Sequence, residues 1–116
     1  MIKKVYLLWN NYATDELLVI GSLEELDDKS YVFRYEKDSM KAAMNGCFLP
    51  FGYTEDVIYF DTLPAFFEQR MLKGDYNIEK FGIKLNSNNK LGILLYGNAQ
   101  KNNDNFMVVS EAYYNE

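Results

Sequence analysis

The sequence predicts an α+β fold: a small, strongly curved, mostly antiparallel sheet with two to four short helices packed on it. Three observations indicate this class. Short apolar or alternating runs, separated by turn residues, predict several strands, and two segments carry helix start signals and are followed by a glycine. The chain has 116 residues, of which 48% are hydrophobic, which is enough for one core without disulfides or metals. We therefore expect a single domain over residues 1–116.

The first three predicted strands lie in the first third of the chain. Residues 5–9 are apolar on both faces, which is typical of a central strand. A loop over 10–15 leads to a strand over 17–23, in which Gly21 indicates a bulge or a close backbone approach. Residues 30–35 alternate cleanly between two faces, so 17–35 predicts an antiparallel hairpin. The residues predicted to share one face of the third strand are Tyr31, Phe33 and Tyr35.

Two helices are predicted after the hairpin. Asp38 is placed to cap a helix that runs to Asn45, and Gly46 follows where a helix end favours positive φ. The predicted apolar stripe of this helix consists of Met40, Ala43 and Met44. After a short strand over 57–60, Thr62 is placed to cap a second helix with Pro64 in its first turn. One side of this second helix carries Phe66, Phe67, Arg70 and Met71, and Gly74 is its predicted stop.

Adjacent phenylalanines on the second helix are about 100° apart, so we expect at least one of Phe66 and Phe67 to be fully buried. The last third of the chain is less distinct. Residues 77–81 predict a short helical turn, and 106–109 predict a final strand. The apolar run 91–96 fits either a buried strand or a short helix, because periodicity does not separate the two over six residues.

Composition excludes several classes of chemistry. The chain has 12 basic and 17 acidic residues, a net charge of −5, which disfavours direct binding to nucleic acid or to anionic membranes. It has no histidine and one cysteine, Cys47, which excludes Ser–His and Cys–His dyads, an internal disulfide and a Cys/His zinc site. We expect no cofactor, no metal and no enzymatic activity. Neither a signal peptide nor a membrane span is predicted, and one thiol suits a reducing cytoplasm.

Three features of the sequence resemble chemical sites, and each has a structural interpretation. The carboxylates of Glu24, Glu25, Asp27 and Asp28 are predicted to be solvated at a hairpin tip rather than to form an acid/base pair or a cation site. The S-x-x-K match at 87–90 is predicted to be a chance occurrence in an Asn-rich loop. Cys47 is predicted to be a small packed residue rather than a nucleophile.

An ordered series of residues between 17 and 72 resembles the N-terminal subdomain of HipA-type toxin kinases. The series comprises Gly21 and Leu23 as G-x-L, then Phe33-Arg34-Tyr35, Leu49-Pro50, and Leu63-Pro64-Ala65-Phe66-Phe67-Glu68 followed by Arg70-Met71-Leu72. Two departures are visible. Asn45-Gly46-Cys47-Phe48 replaces a serine-rich lead into L-P, and Leu72-Lys73-Gly74 lacks the usual proline. In the last third, Leu94-Leu95-Tyr96-Gly97-Asn98 is similar to a family helix that ends in a glycine turn, which favours helix for 91–96.

The resemblance implies a regulator rather than a kinase, because the family's ATP-binding and catalytic residues lie outside the part that this chain resembles. A free-standing copy of the subdomain is similar to the HipS-type proteins of three-part bacterial HipBST toxin–antitoxin systems. The implied function is to bind and restrain a HipA-like Ser/Thr kinase, together with a helix-turn-helix DNA-binding protein. The alternative is a stand-alone binding module of a mobile element that targets another host protein.

The predicted partner-binding residues are Phe51, Tyr53, Phe66 and Arg70. The loop over 51–56 presents aromatic side chains beside carboxylates, and loops held by a rigid scaffold commonly carry recognition. Arg70 lies on the helix that follows, where its long stem can pack while its guanidinium reaches solvent. The alternative interpretation is that Phe51 belongs to the core and that Tyr53 is an ordinary half-exposed loop residue.

Overall fold

A computed structural model of the chain describes residues 3–52, 54–73, 91 and 105–110. These residues form one antiparallel sheet and two short helices, so the predicted α+β class is confirmed. The strands are β1 (Lys4–Asn11), β2 (Glu16–Glu25), β3 (Tyr31–Tyr35), β4 (Val57–Phe60) and β5 (Phe106–Ser110), and the helices are α1 (Ser39–Met44) and α2 (Ala65–Lys73). None of the helices in this part of the chain is long and apolar enough to cross a membrane.

The sheet has the strand order β4-β3-β2-β1-β5. The first predicted strand is therefore interior, as its two apolar faces indicated, and the predicted hairpin is the antiparallel β2–β3 pair. The predicted last strand is β5, which pairs antiparallel with β1. The interior strands β1 and β2 carry apolar residues on both faces. The sheet can therefore bury side chains on either side.

A bulge in β2 explains the glycine within this strand. Leu7 pairs with Gly21 but Leu8 pairs with Val19, which leaves Ile20 as the extra residue. A Cβ atom at Gly21 would lie 2.5 Å from the carbonyl oxygen of Arg34 and 2.5 Å from Cζ of Phe33. Both predicted reasons for Gly21, a bulge and a close approach, are confirmed.

The main core lies on the face of the sheet that both helices cover. Its centre is an aromatic cluster in which the Phe33 ring lies 5.0 Å from Tyr35, 4.8 Å from Phe51 and 6.1 Å from Phe67. Aromatic pairs at these spacings contribute beyond the area they bury. The members of this aromatic cluster are Phe33, Tyr35, Phe51, Phe60, Phe66, Phe67 and Phe106.

A second, smaller cluster lies on the other face of the sheet, on β1 and β5. Its buried members are Tyr6, Leu8, Met107 and Val109, which pair directly across the two strands. The ammonium group of Lys4 lies 5.3 Å from the centre of the Tyr6 ring. Strand β1 buries side chains on both faces of the sheet, which stabilises it more than burial on one face alone.

The predicted stripe of α1 is wrong. Met40 and Met44 are exposed, whereas Ser39 and Ala42 are buried and Ala43 packs against the core. Ser39, Ala42 and Ala43 have the same helical spacing as the predicted stripe, offset by one residue. Small side chains let a short helix approach the sheet closely, so the helix turns its methionines outward.

Asp38 precedes α1 as predicted, but its side chain makes no capping hydrogen bond. The predicted positive φ at Gly46 is confirmed.

The start of α2 differs from the prediction by two residues. The carbonyl oxygen of Pro64 accepts hydrogen bonds from the N–H groups of Phe67 and Glu68, at 3.0 and 2.9 Å. Pro64 therefore occupies the position before the first helical residue, where it needs no N–H, and Thr62 lies outside the helix. Phe67 is fully buried and Phe66 half-buried, which confirms that at least one of the two is in the core.

Asn10 and Asn11, predicted to lie in a loop, are the last residues of β1 and are buried. The N–H of Asn10 donates to the carbonyl of Asn105 at 2.9 Å, and the side chain of Asn11 accepts from the N–H of Ala13 at 3.1 Å. These bonds satisfy polar groups that burial would otherwise penalise. The strand is therefore longer than its apolar part.

Leu91 is helical and buried. The predicted helix stop at Gly74, the helical turn at 77–81, the motif at 87–90 and residues 92–96 lie outside the described residues. Cys47 is buried beside the end of α1 and packs in the core, as predicted.

Candidate partner-binding surface

Two of the four predicted partner-binding residues, Phe51 and Phe66, meet in the aromatic cluster. Their ring centres are 6.3 Å apart, and both side chains are half-buried. The N–H of Phe51 donates to the hydroxyl of Tyr35 at 2.8 Å, which holds the loop after α1 against β3. The Phe66 ring also lies 5.4 Å from Phe106 of β5. Both residues therefore pack within the protein and keep part of their surface open.

The other two predicted residues are placed less fully. Arg70 lies in α2, one turn after Phe66 and Phe67, but its side chain is not among those described. Tyr53 lies outside the described residues. The proposal that these four residues form one interface stays a prediction.

A surface that the sequence interpretation missed lies on the outer side of α1. Met40, Met44 and Phe48 are 55%, 85% and 74% exposed, and we call these three residues the α1 surface. Met40 and Met44 are four positions apart and share one side of the helix, and Phe48 follows the turn at Gly46. The sequence pattern predicts that these two methionines face the core, whereas both are exposed.

Three contacts hold α1 against the rest of the protein. Lys41 forms an ion pair with Glu16 of β2 at 3.1 Å, and the buried Ala42 docks the helix on the core. At the end of the helix, the N–H of Cys47 donates to the carbonyl of Ala42 at 3.0 Å. Exposed methionines adapt to irregular partner surfaces, and an exposed aromatic side chain supplies an anchor. The arrangement is suited to binding another protein.

The prediction that Glu25 is solvated at a hairpin tip is wrong. Its side chain is buried in β2, where it accepts hydrogen bonds from Lys3 Nζ and from the Tyr31 hydroxyl, both at 3.1 Å. Strand β2 continues to this residue, so its side chain falls on the core face, opposite Tyr31. Two charge-assisted partners offset the cost of burying the carboxylate.

The turn itself behaves as predicted for surface carboxylates. The carboxylate of Asp28 accepts hydrogen bonds from the hydroxyl and the N–H of Ser30, which lower the pKa of Asp28. Lys29 has positive φ at the same turn. Asp28 therefore shapes the β2–β3 turn. Among the residues that the structure describes, no three cysteine or acidic side chains are grouped so that they could hold a metal ion.

The Tyr31–Glu25 contact predicts a pH dependence of stability. Burial, followed by the nearby Glu25 charge and the hydrogen bond to it, raises the pKa of Tyr31 from 10.0 to about 12. Below pH 10 this tyrosine is protonated in both states; between pH 10 and 12 the unfolded chain loses the proton first. The free energy of unfolding should therefore fall as pH rises through this window, by up to about 1.4 kcal/mol per pH unit.

Urea denaturation at pH 8, 10 and 11.5 measures this effect, with Tyr31→Phe as the matched variant. At pH 8 the variant should be less stable than the parent, because Glu25 loses a buried donor. The two proteins should converge as pH rises, because the variant lacks the titrating group. Parallel pH profiles for the two proteins would contradict this interpretation.

A scan against protein-family models finds no matching model, and a comparison with curated proteins finds no similar chain. The functional interpretation therefore depends on the geometry described above and on the sequence resemblance.

Proposed function

We propose that this chain is a non-catalytic regulator that binds and restrains a HipA-like Ser/Thr kinase, in the manner of an antitoxin. The α1 surface is the observation that carries protein binding: two large apolar side chains lie outward on a helix whose other side is docked in the core, and a third, Phe48, is exposed just after the helix. The class of partner comes from the sequence resemblance to the N-terminal subdomain of these kinases. The complex would be cytoplasmic.

The apolar residues that carry the resemblance pack together. Seven residues of the series, between Leu23 and Phe67, belong to or pack against one core on one face of the sheet. The buried members are Leu23, Phe33, Leu49, Leu63 and Phe67, with Tyr35 and Phe66 packed against them.

Charge supports a protein partner rather than a nucleic acid. The net charge is −5, and the three ion pairs within the described residues already engage Lys3, Arg34 and Lys41. A phosphate backbone needs several available cations on one face. In the proposed complex, any contact with DNA would be made by the helix-turn-helix partner.

The α1 surface makes a direct prediction. A HipA-like kinase that lacks its own N-terminal subdomain, taken from the genome that encodes this chain, should bind the purified protein in isothermal titration. Met44→Asp and Phe48→Asp should each weaken binding at least about thirtyfold, because truncating or charging an anchor costs about 2 kcal/mol or more. Both residues are exposed, so the melting temperature should stay within a few degrees of the parent.

Leu17→Asp is the matched control. It adds the same charge to an exposed apolar residue of β2, on the face of the sheet away from α1, since its neighbour Leu18 is in the core. Its binding should stay within about threefold of the parent. A genome without such a kinase, or a kinase that the parent does not bind, would contradict the proposed function. Equal binding by all three variants would contradict the placement of the interface at the α1 surface.

A further inference from the structure

Strand β4 forms one edge of the sheet. Residues 57–60 pair with β3 on one side, and no strand among the described residues pairs with the other side. Proteins commonly protect such an edge by keeping the strand very short, with charged side chains such as lysine, with proline, or with a covering element. The segment from Glu55 to Asp61 contains neither lysine nor proline, and Val57 and Tyr59 are exposed. Within the part of the chain that the structure describes, this four-residue edge is therefore unpaired and can accept an added strand.

The hydrogen-bond pattern identifies which residues face the open side. The N–H of Tyr35 donates to the carbonyl of Asp56 at 2.8 Å, and the register pairs Phe33 with Ile58. Because antiparallel pairs alternate between bonded and non-bonded positions, Ile58 and Phe60 bond to β3. The N–H and C=O groups of Val57 and Tyr59 then face away from the sheet.

The side chains of the same two residues complete the surface. Val57 and Tyr59 are 39% and 68% exposed and lie on the face opposite the main core, while Ile58 and Phe60 pack against that core. Tyr59 is paired with Val32, which is fully buried on that face. An added strand would meet two backbone donors, two backbone acceptors and two apolar side chains at alternate positions.

The charged residues that flank β4 in the sequence are all acidic. Glu55 and Asp56 precede the strand and Asp61 follows it, and all three are exposed. The nearest described cation on the paired strand, Arg34, is engaged with Glu24 at 3.0 Å. A second copy of this chain would bring carboxylates against carboxylates in either strand direction, which is unfavourable. A segment with lysine or arginine at its ends would instead pair with them.

We propose that the edge of β4 binds an extended, basic segment of a partner protein as an additional strand, centred on Val57 and Tyr59. The inference rests on the proposed function for the class of partner, a protein, and adds the manner of docking and the charge of the docked segment. Helix α1 lies on the core face beside β2, whereas Val57 and Tyr59 lie on the opposite face at the β4 edge of the sheet.

The test uses a defined probe: a peptide with three alternating β-branched residues between two lysines at each end. The peptide is titrated into the nitrogen-15-labelled full chain, and amide shifts are followed. We expect saturable binding at or below about 1 mM, with the largest shifts between residues 55 and 61. A peptide with glutamates in place of lysines, and one with N-methylated alternate amides, should each bind at least tenfold more weakly.

Tyr59→Pro is the matched variant of the protein. Proline at an outward-facing edge position removes a donor without breaking the pairing with β3, so the variant should fold and lose at least tenfold in peptide affinity. Tyr59→Ala should lose less, because it keeps the N–H. Absence of binding, unchanged binding by Tyr59→Pro, or shifts centred elsewhere would overturn the proposal. So would a dimer of the parent in sedimentation that Tyr59→Pro dissolves, because the occupant would then be a second copy.

The two proposals fail in different ways. Peptide binding at β4 without binding of the kinase would leave the edge site standing and contradict the proposed function. Kinase binding that Tyr59→Pro leaves unchanged would leave the proposed function standing and contradict the edge site.

Discussion

Replacing Gly21 by alanine should lower the free energy of unfolding by about 3 kcal/mol or more, at the upper end of overpacking effects. The new methyl group would lie 2.5 Å from the Arg34 carbonyl oxygen, which is backbone of β3, and 2.5 Å from the Phe33 ring. The backbone cannot give way without breaking the β2–β3 pairing. Phe33 cannot give way without disturbing Tyr35, Phe51 and Phe67, which all contact its ring.

Gly46→Ala separates this steric effect from backbone strain. Gly46 has φ of +101° with no atom within 4 Å of an added Cβ, so the substitution should cost only about 1–2 kcal/mol of backbone strain. Gly21 has no such φ, and its cost is steric alone. Thermal and urea denaturation of both variants measure the difference. A Gly21→Ala protein as stable as Gly46→Ala would contradict the close approach of β3.

Phe67→Ala should lower the free energy of unfolding by about 3–5 kcal/mol. Phe67 is fully buried, and its ring contacts Phe33, Phe51 and Phe66, so truncation leaves a cavity in the centre of the aromatic cluster. Small domains are stable by about 5–15 kcal/mol, so the variant should melt about 10–20 °C below the parent.

Phe66→Ala is the matched comparison, because the two residues are adjacent on α2 and differ in burial. Because Phe66 is only half-buried, Phe66→Ala should lower the free energy of unfolding by only about 1–2 kcal/mol. Calorimetry of the two variants measures the difference. Equal losses, or a larger loss at Phe66, would contradict the orientation of α2 on the sheet.

The strands were predictable from the sequence because apolar or alternating runs bounded by turn residues favour an extended, packed segment. The apolar run in β1 and the alternation in β3 are of this kind, and Gly21 in β2 is explained by a contact that only glycine permits. The ends of β1 were not predictable in the same way. Asn10 and Asn11 are polar, and only hydrogen bonds made in the folded state allow their burial.

The orientation of α1 could not be derived from its sequence. In a six-residue helix, two overlapping sets have the same spacing, and hydrophobicity favours the methionines. The folded protein buries Ser39, Ala42 and Ala43 instead, because close approach to the sheet favours small residues. The methionines of the α1 surface were therefore predicted to lie in the core, although they are exposed. Glu25 was misjudged for a related reason, since its partners Lys3 and Tyr31 come from other strands or from the chain before β1.

Autophosphorylation of the HipA-like kinase, measured with labelled ATP while this chain is titrated in, tests the central proposal most directly. Kinase activity should fall to a low plateau at saturating parent protein and at saturating Leu17→Asp. At the same concentrations, Met44→Asp and Phe48→Asp should leave most of the activity in place, because they lose the α1 surface. Kinase activity that stays unchanged when the parent chain is bound at saturation would contradict the account.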